Sequence, residues 1–207
     1  MTPRPYHLGR RQAAVDKTRT RILRAARAVL LAPRGGAGFS IDAVARRARV
    51  TRVTVYHQFG SWRGLLEALF DELAAEGGMR ELATAFRQRD PDEALALFVK
   101  TFGRFWTAGR RAHRRLQGRA ALDPALQRAI DARQEWRRQG LRVLVGRLRE
   151  RHGRPAGPAP DETIDVLFTL TSFQTFDTLA GAGRTPADVT PLVLRLARAV
   201  LGLKAGR

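Results

Sequence analysis

Between Thr51 and Phe59 the chain reads Thr-Arg-Val-Thr-Val-Tyr-His-Gln-Phe, which gathers hydroxyls, a guanidinium, a phenol, an imidazole and a carboxamide within nine residues. These groups donate and accept hydrogen bonds and add positive charge. That is the chemistry of contact with phosphates and base edges: arginine pairs with guanine in a major groove, and Thr, Tyr and His reach phosphate oxygens. Val55 and Phe59 are spaced four apart, as on one buried stripe of a short helix, which leaves Arg52, Val53, Thr54, Tyr56, His57 and Gln58 outside. Thr51 is suited to cap that helix at its start, and Gly60 ends it.

Such a face needs elements to hold it. Just upstream, Ser40 stands where an N-cap is wanted, and Ile41, Val44, Ala45 and Ala48 repeat on one face of another short helix. The connection Arg49-Val50 is brief. Two short helices joined this tightly have the helix-turn-helix layout, in which the first braces the backbone and the second enters the major groove. Three-helix units of this kind also serve as plain packing or protein-binding modules. A preceding helix is predicted from about Asp16, with Ile22, Ala26, Val29 and Leu30 inward, stopped by Pro33 and the run Gly35-Gly36-Ala37-Gly38. Met1 to Val15 is basic and lacks apolar periodicity, so it reads as a flexible arm. Ser61 begins a fourth helix through Leu65, Leu66, Leu69, Phe70 and Leu73.

Beyond Gly77-Gly78 the periodicity stays helical, so the fold class is all-α. The segment 153–160 is the clearest loop. Residues 161–181 read as one helix, apolar over most of its circumference, and a last helix carries Val189, Leu192, Val193, Leu196, Val200 and Leu203. Two such helices expose more apolar surface than a small monomer easily covers, which predicts a homodimer through residues about 161–203; filling a monomeric core is the alternative. Leu95, Phe98, Phe102, Phe105 and Trp106 form an aromatic stripe, to which Trp136, Phe168, Phe173 and Phe176 add. Such stripes are usually core. Polar residues among them, including Gln174 and Asp177, suit a cavity for a small, largely apolar ligand, with Phe102, Trp106, Trp136, Phe173, Gln174 and Asp177 as candidate lining.

The 207 residues carry 38 Lys+Arg against 19 Asp+Glu, a net charge of +19, which favours a polyanion such as nucleic acid or an acidic membrane surface. Residues 1–70 hold a net +11 and residues 71–207 a net +8, so the charge is roughly threefold denser in the first third. Arginine supplies 35 of the 38 bases, and a GC-rich genome accounts for part of that, though not for the asymmetry. Cysteine is absent, so disulfides and thiolate sites are excluded. No apolar leader or membrane-length run is present, and a cytoplasmic location with no membrane partner is expected. An enzyme is the main competitor of another class. Its marks are missing: His7, His57, His113 and His152 make no metal cluster, the Gly-Gly-Ala-Gly at 35–38 lacks the Gly-Lys-Ser/Thr of a phosphate loop, and no nucleophile motif occurs. His113 and His152 lie among arginines and read as solvated surface residues, and no catalytic residue, metal or cofactor is expected. A non-specific nucleic-acid binder is the other alternative.

TRTRILRAARAVLL followed by FSIDAVARRARVTRVTVYHQFGSWRGLLEALFDEL, roughly residues 18–74, resembles the N-terminal domain of tetracycline-repressor-like (TetR/AcrR) regulators, and the order of features is more specific than any one of them. The resemblance implies that Thr51 caps the recognition helix, that Arg52, Val53 and Thr54 approach bases, and that Tyr56 and His57 hold phosphates. Two positions depart from the pattern: Val53 stands where Gly or a small residue is common, and Trp62 where a Lys often meets a phosphate, a cation that Arg63 would replace. With Ser40 as the cap of the bracing helix, these residues make up the expected DNA face. The resemblance further implies a palindromic double-stranded operator, a homodimer, and release by a small-molecule effector, most relatives being repressors. The expected division is an arm at 1–15, a helix-turn-helix domain at 16–61 and a helical effector-binding and dimerisation domain at 62–207.

Overall fold

The computed structural model describes residues 6–32, 38–153 and 159–203, and among them every regular element is helical. The chain divides into two compact units. The first comprises residues 1–71 and 114–129, and the second residues 72–113 and 130–207.

In the first unit, α1 (Tyr6–Leu31), α2 (Ile41–Ala48), α3 (Arg52–Phe59) and the front of α4 (Trp62–Glu76) surround one core. α1 starts ten residues before the expected Asp16, so Tyr6 to Val15 are helical, and the rest of the expected arm, 1–5, lies outside the described residues. The segment Arg10-Arg11-Gln12-Ala13-Ala14 explains this: it lacks apolar periodicity but consists of strong helix formers, and Gln12 Nε2 donates to Asp16 Oδ1 one turn on (3.0 Å). The Pro33 to Ala37 part of the expected stop also lies outside the described residues.

Ile22, Ala26 and Leu30 of α1, Ile41, Val44, Ala45 and Ala48 of α2, Val55 of α3, and Leu65, Leu66 and Leu69 of α4 are buried as their spacing predicts; Val29 and Phe59 are only half-buried. α1 packs against both α2 and α3. Each buried Leu or Ile contributes on the order of 2 kcal/mol by leaving water, and this core fixes how α3 is presented.

The second unit holds the rear of α4, α5 (Leu82–Arg87), α6 (Pro91–Ala108), the start of α7 (Arg110–Ala120), the larger part of α8 (Pro124–His152), α9 (Pro160–Leu170), α10 (Phe173–Ala180) and α11 (Thr190–Val200). Asp90 caps α6, its carboxylate accepting from Asp92 N at 2.9 Å with Pro91 at the first helical position. Residues 161–181 are two helices, not the one expected. The break falls at Thr171-Ser172: Ser172 Oγ accepts from Thr175 N (3.1 Å), a cap that starts α10 afresh, while Ser172 N bonds back to Thr169 O (3.1 Å). That shorter bond frees the Phe168 carbonyl, which accepts from buried Arg137, and Trp106 Nε1 donates to Thr171 O at 3.1 Å. An amphipathic count cannot see this, because the apolar pattern runs through the break and only the Ser-x-x-Thr cap marks it.

Candidate nucleic-acid interface

The bracing helix α2 begins at Ser40, whose Oγ accepts from Ala43 N (3.4 Å). It ends at Arg49 with a left-handed φ of 53°, a conformation that costs a side-chain-bearing residue roughly 1–2 kcal/mol. The turn recovers part of this because Arg49 N and Val50 N donate to Arg46 O (3.1 Å) and Ala45 O (3.0 Å). The tight reversal brings Thr51 to the start of α3, where its Oγ1 accepts from Thr54 N at 3.1 Å. Gly60, at φ 73°, closes α3 by donating to Tyr56 O (2.7 Å).

On α3, Arg52, Val53, Tyr56 and His57 fall at i, i+1, i+4 and i+5 and share one exposed face, while Val55 is buried on the other side. Val53 is 75% exposed and Tyr56 41%. Thr54 is half-buried and shares a hydrogen bond with Thr51 Oγ1 (2.9 Å). Arg52 Nε lies 3.1 Å from Asp42 Oδ1, and Arg63 Nε 2.8 Å from Glu67 Oε1. All four side chains are well exposed, so each pair is worth less than about 1 kcal/mol and gives way readily to a phosphate or a guanine edge.

Two supports escaped the sequence reading. Arg19 of α1 donates from Nη1 to Gln58 O (2.8 Å), and its guanidinium lies 4.3 Å from the centre of the Phe59 ring. It thereby satisfies a carbonyl in the last turn of α3 and holds the half-buried Phe59. Its one signal is position: it lies three residues before Ile22, on the same side of α1. Phe39 is buried and meets Trp62 edge-on, with ring centres 4.9 Å apart. Trp62 therefore packs, which explains an aromatic where a phosphate-binding cation would otherwise stand.

In the second unit, Phe102, Trp106 and Phe173 come together in a buried aromatic cluster: Phe102 and Trp106 are 5.8 Å apart, Trp106 and Phe173 5.5 Å. The structure does not bring the other three expected lining residues into it. Trp136 is 84% exposed, because the buried stripe of α8 runs through Arg137, Leu141, Leu144, Val145 and Leu148, and the preceding residue points off it. Gln174 is exposed next to the start of α10. Asp177 is committed to Arg110 Nε (2.5 Å), and the same guanidinium donates to Gly181 O (2.6 Å) and Arg184 O (2.8 Å).

His113, expected to be a solvated surface residue, belongs to the cluster instead. It is 5% exposed, and its ring centre lies 4.7 Å from both Phe105 and Trp106 and 5.3 Å from Phe173. Its apolar neighbours were not adjacent in sequence, so the surrounding arginines misled. Burial pushes its pKa from an ordinary 6.5 to about 4, keeping the imidazole neutral.

Among the described residues no group of three or more His, Cys, Asp or Glu is placed to hold a metal, and no helix is long and apolar enough to cross a membrane.

No curated protein matches the sequence significantly. The structure shares its fold with a transcriptional regulator from Rhodococcus sp. RHA1, at 20% identity, covering 91% of this chain and 99% of the other with a TM-score of 0.62. It is equally like a TetR transcription regulator from Haloarcula marismortui (14% identity, 90% and 97% covered, TM-score 0.65). A third similar structure is a regulator from Saccharomonospora viridis in complex with choline (17% identity, 89% and 96% covered, TM-score 0.63). Residues 22–69 match the family of bacterial regulatory proteins, tetR family. That segment runs from Ile22 of α1 through the helix-turn-helix to Leu69 of α4, so the helices that present the exposed face of α3 are the part of the chain that matches the tetR family of bacterial regulatory proteins.

Proposed function

We propose that the protein is a ligand-responsive repressor that binds a palindromic operator as a homodimer and is released by a small-molecule effector. The observation that carries the reading is the exposed face of α3, with Arg52, Val53, Tyr56 and His57 side by side in the most basic third of the chain. Arg52 and Val53, with Thr54 at the edge, address base pairs, where Val53 can meet a thymine methyl; Tyr56, His57 and Arg63 hold phosphates; Ser40 and Thr51 fix the two helices through their caps. Residues 16–61 act as the DNA-binding domain and 62–207 as the sensing and dimerising domain.

Dimerisation through α9 to α11 is supported by Val166 and Leu196, which remain 38% and 39% exposed in the single chain. Two-fold symmetry then sets two copies of α3 into successive major grooves. A small-molecule effector is supported by the aromatic cluster of the second unit and by the choline found with the Saccharomonospora viridis structure. The effector acts by stabilising a spacing of the two recognition helices that no longer fits the operator.

The test is binding of the full-length protein to DNA upstream of its own gene, competed with random DNA at physiological salt. Selective retention of a palindromic fragment is expected. Equal loss to random DNA would instead mark a non-specific nucleic-acid binder, and no binding would reopen an enzymatic or protein-binding role.

A further inference from the structure

Arg137 of α8 is the only arginine among the described residues in the buried class, at 5% exposure, and all of its hydrogen-bond partners are neutral. Nη1 donates to Phe168 O (2.5 Å) and Thr171 Oγ1 (2.7 Å). Nε and Nη2 both donate to Gln134 Oε1, at 3.1 and 2.6 Å. Its guanidinium carbon lies 4.0 Å from the centre of the Phe168 ring and 5.8 Å from that of Phe102. Burial first, and the neighbouring positive charge of Arg138 second, push its pKa down to about 9, so it stays charged at neutral pH. A buried cation usually brings a carboxylate with it, because desolvation without a counter-charge is unfavourable.

The edge formed by Nε and Nη2 is the one on which a carboxylate docks with two parallel hydrogen bonds. Here a single carboxamide oxygen occupies it. Gln134 lies one turn earlier on the same helix and is half-buried, so rotation of its side chain vacates the edge without moving backbone. A second polar group is left incomplete at the same aromatic cluster: His113 Nε2 is buried with no hydrogen-bond partner. Trp106 touches both the His113 ring and Phe102, and Phe102 in turn lies beside Arg137.

We propose that the effector is an organic acid with an aromatic or flat apolar body. Its carboxylate takes the Nε–Nη2 edge of Arg137 in place of the Gln134 oxygen. Its body lies among Phe102, Trp106 and Phe173, and a hydroxyl or similar substituent completes His113 Nε2. The inference rests on the sensing role given to the second unit, and it deepens that role. Arg137 also ties down the Phe168 carbonyl and the Thr171 hydroxyl at the break between α9 and α10, so charge neutralisation there acts directly on helices assigned to the dimer.

The experiment titrates full-length protein calorimetrically, and by thermal shift at millimolar ligand, with benzoate, para-hydroxybenzoate and phenylpropanoate and with their amides, while operator affinity is followed in parallel. At least one acid is expected to bind and to raise Tm, with its amide at least about tenfold weaker. Arg137→Lys, which keeps the charge but loses the fork, should weaken the acid by about tenfold or more and leave the amide unchanged. Gln134→Glu sets an internal carboxylate on the same edge, and should raise Tm and abolish binding of the acid. The proposal is overturned if acids and amides bind alike, if no acid stabilises the protein, or if Gln134→Glu fails to raise Tm and leaves acid binding intact. Acid binding at Arg137 without any change in operator affinity would keep the site and sink release by the effector; intact operator binding with no acid bound would do the reverse.

Discussion

Lowering the pH isolates the contribution of one buried imidazole. In the folded protein His113 sits among Phe105, Trp106 and Phe173 with a pKa near 4; in the unfolded chain it returns to about 6.5. Above 6.5 the imidazole is neutral in both states and pH has no purchase on it. As pH falls below 6.5 the unfolded chain takes up a proton that the native state refuses, so stability drops, and the loss levels off only below about pH 4. Each pH unit in that window is worth about 1.4 kcal/mol. Going from about pH 7.5 to about pH 5 should therefore remove about 2 kcal/mol, and the whole window about 3 kcal/mol. Urea denaturation across this range, on the parent and on His113→Phe, separates the effect from that of every other ionisable group, since the two proteins share all of them. The parent should lose about 2 kcal/mol more than the variant by about pH 5. Parallel losses in the two proteins would show that His113 is hydrated or paired in solution, and the buried, partnerless imidazole would have to be abandoned.

Four further outcomes follow from named contacts. Arg19→Ala removes the hydrogen bond to Gln58 O and the cation over Phe59; thermal denaturation should show a loss of about 1–2 kcal/mol, and gel-shift titration weaker DNA binding although Arg19 lies off α3. Arg49→Gly relieves a left-handed backbone and should stabilise the first unit by about 1 kcal/mol, measured as a rise in urea midpoint. Arg52→Ala or Val53→Ala should change which base pairs a selected DNA library prefers, by about 1–3 kcal/mol at the affected position, whereas Tyr56→Phe and His57→Ala should weaken all sequences evenly. In Gly77→Ala the new methyl would sit 2.8 Å from Phe105 Cα and 2.5 Å from its ring; because backbone cannot swing aside, a drop in Tm equivalent to about 1–3 kcal/mol is expected.

The α2–α3 reversal was legible because each of its parts has a local cause. Ser40 and Thr51 cap, Val44 and Val55 bury, Gly60 stops, and all of these act within one or two turns of chain. The second unit was legible as helical and as burying the aromatics Phe102, Trp106 and Phe173, but not in its polar interior. Its interior depends on residues far apart in sequence; His113 reads as solvated surface among its arginines, and nothing local sets Arg137 apart from Arg133 and Arg138. What buries Arg137 is a carbonyl released by the break at Thr171-Ser172, thirty or so residues away, and what buries His113 is an aromatic wall assembled from α6 and α10. Trp136 erred the other way. Grouping it with the aromatics of other helices placed it inward, but a shift of one residue on a helix turns a side chain through more than a quarter of a circle, and the neighbour at 137 took the inner place. Local signals located the helix-turn-helix; only tertiary packing could locate the buried polar groups of the second unit.

The three tryptophans fall in three different settings: Trp62 edge-on to Phe39 in the first unit, Trp106 deep in the second, and Trp136 open to water. The protein thus carries its own optical labels. Iodide should quench Trp136 and spare Trp106, while replacement of Trp136 by Phe should shift the remaining emission toward shorter wavelength. With that outer label silenced, Trp62 and Trp106 report separately on the first and second units, so the order in which each responds to added DNA or a small molecule can be timed in a stopped-flow mixer without attaching a dye.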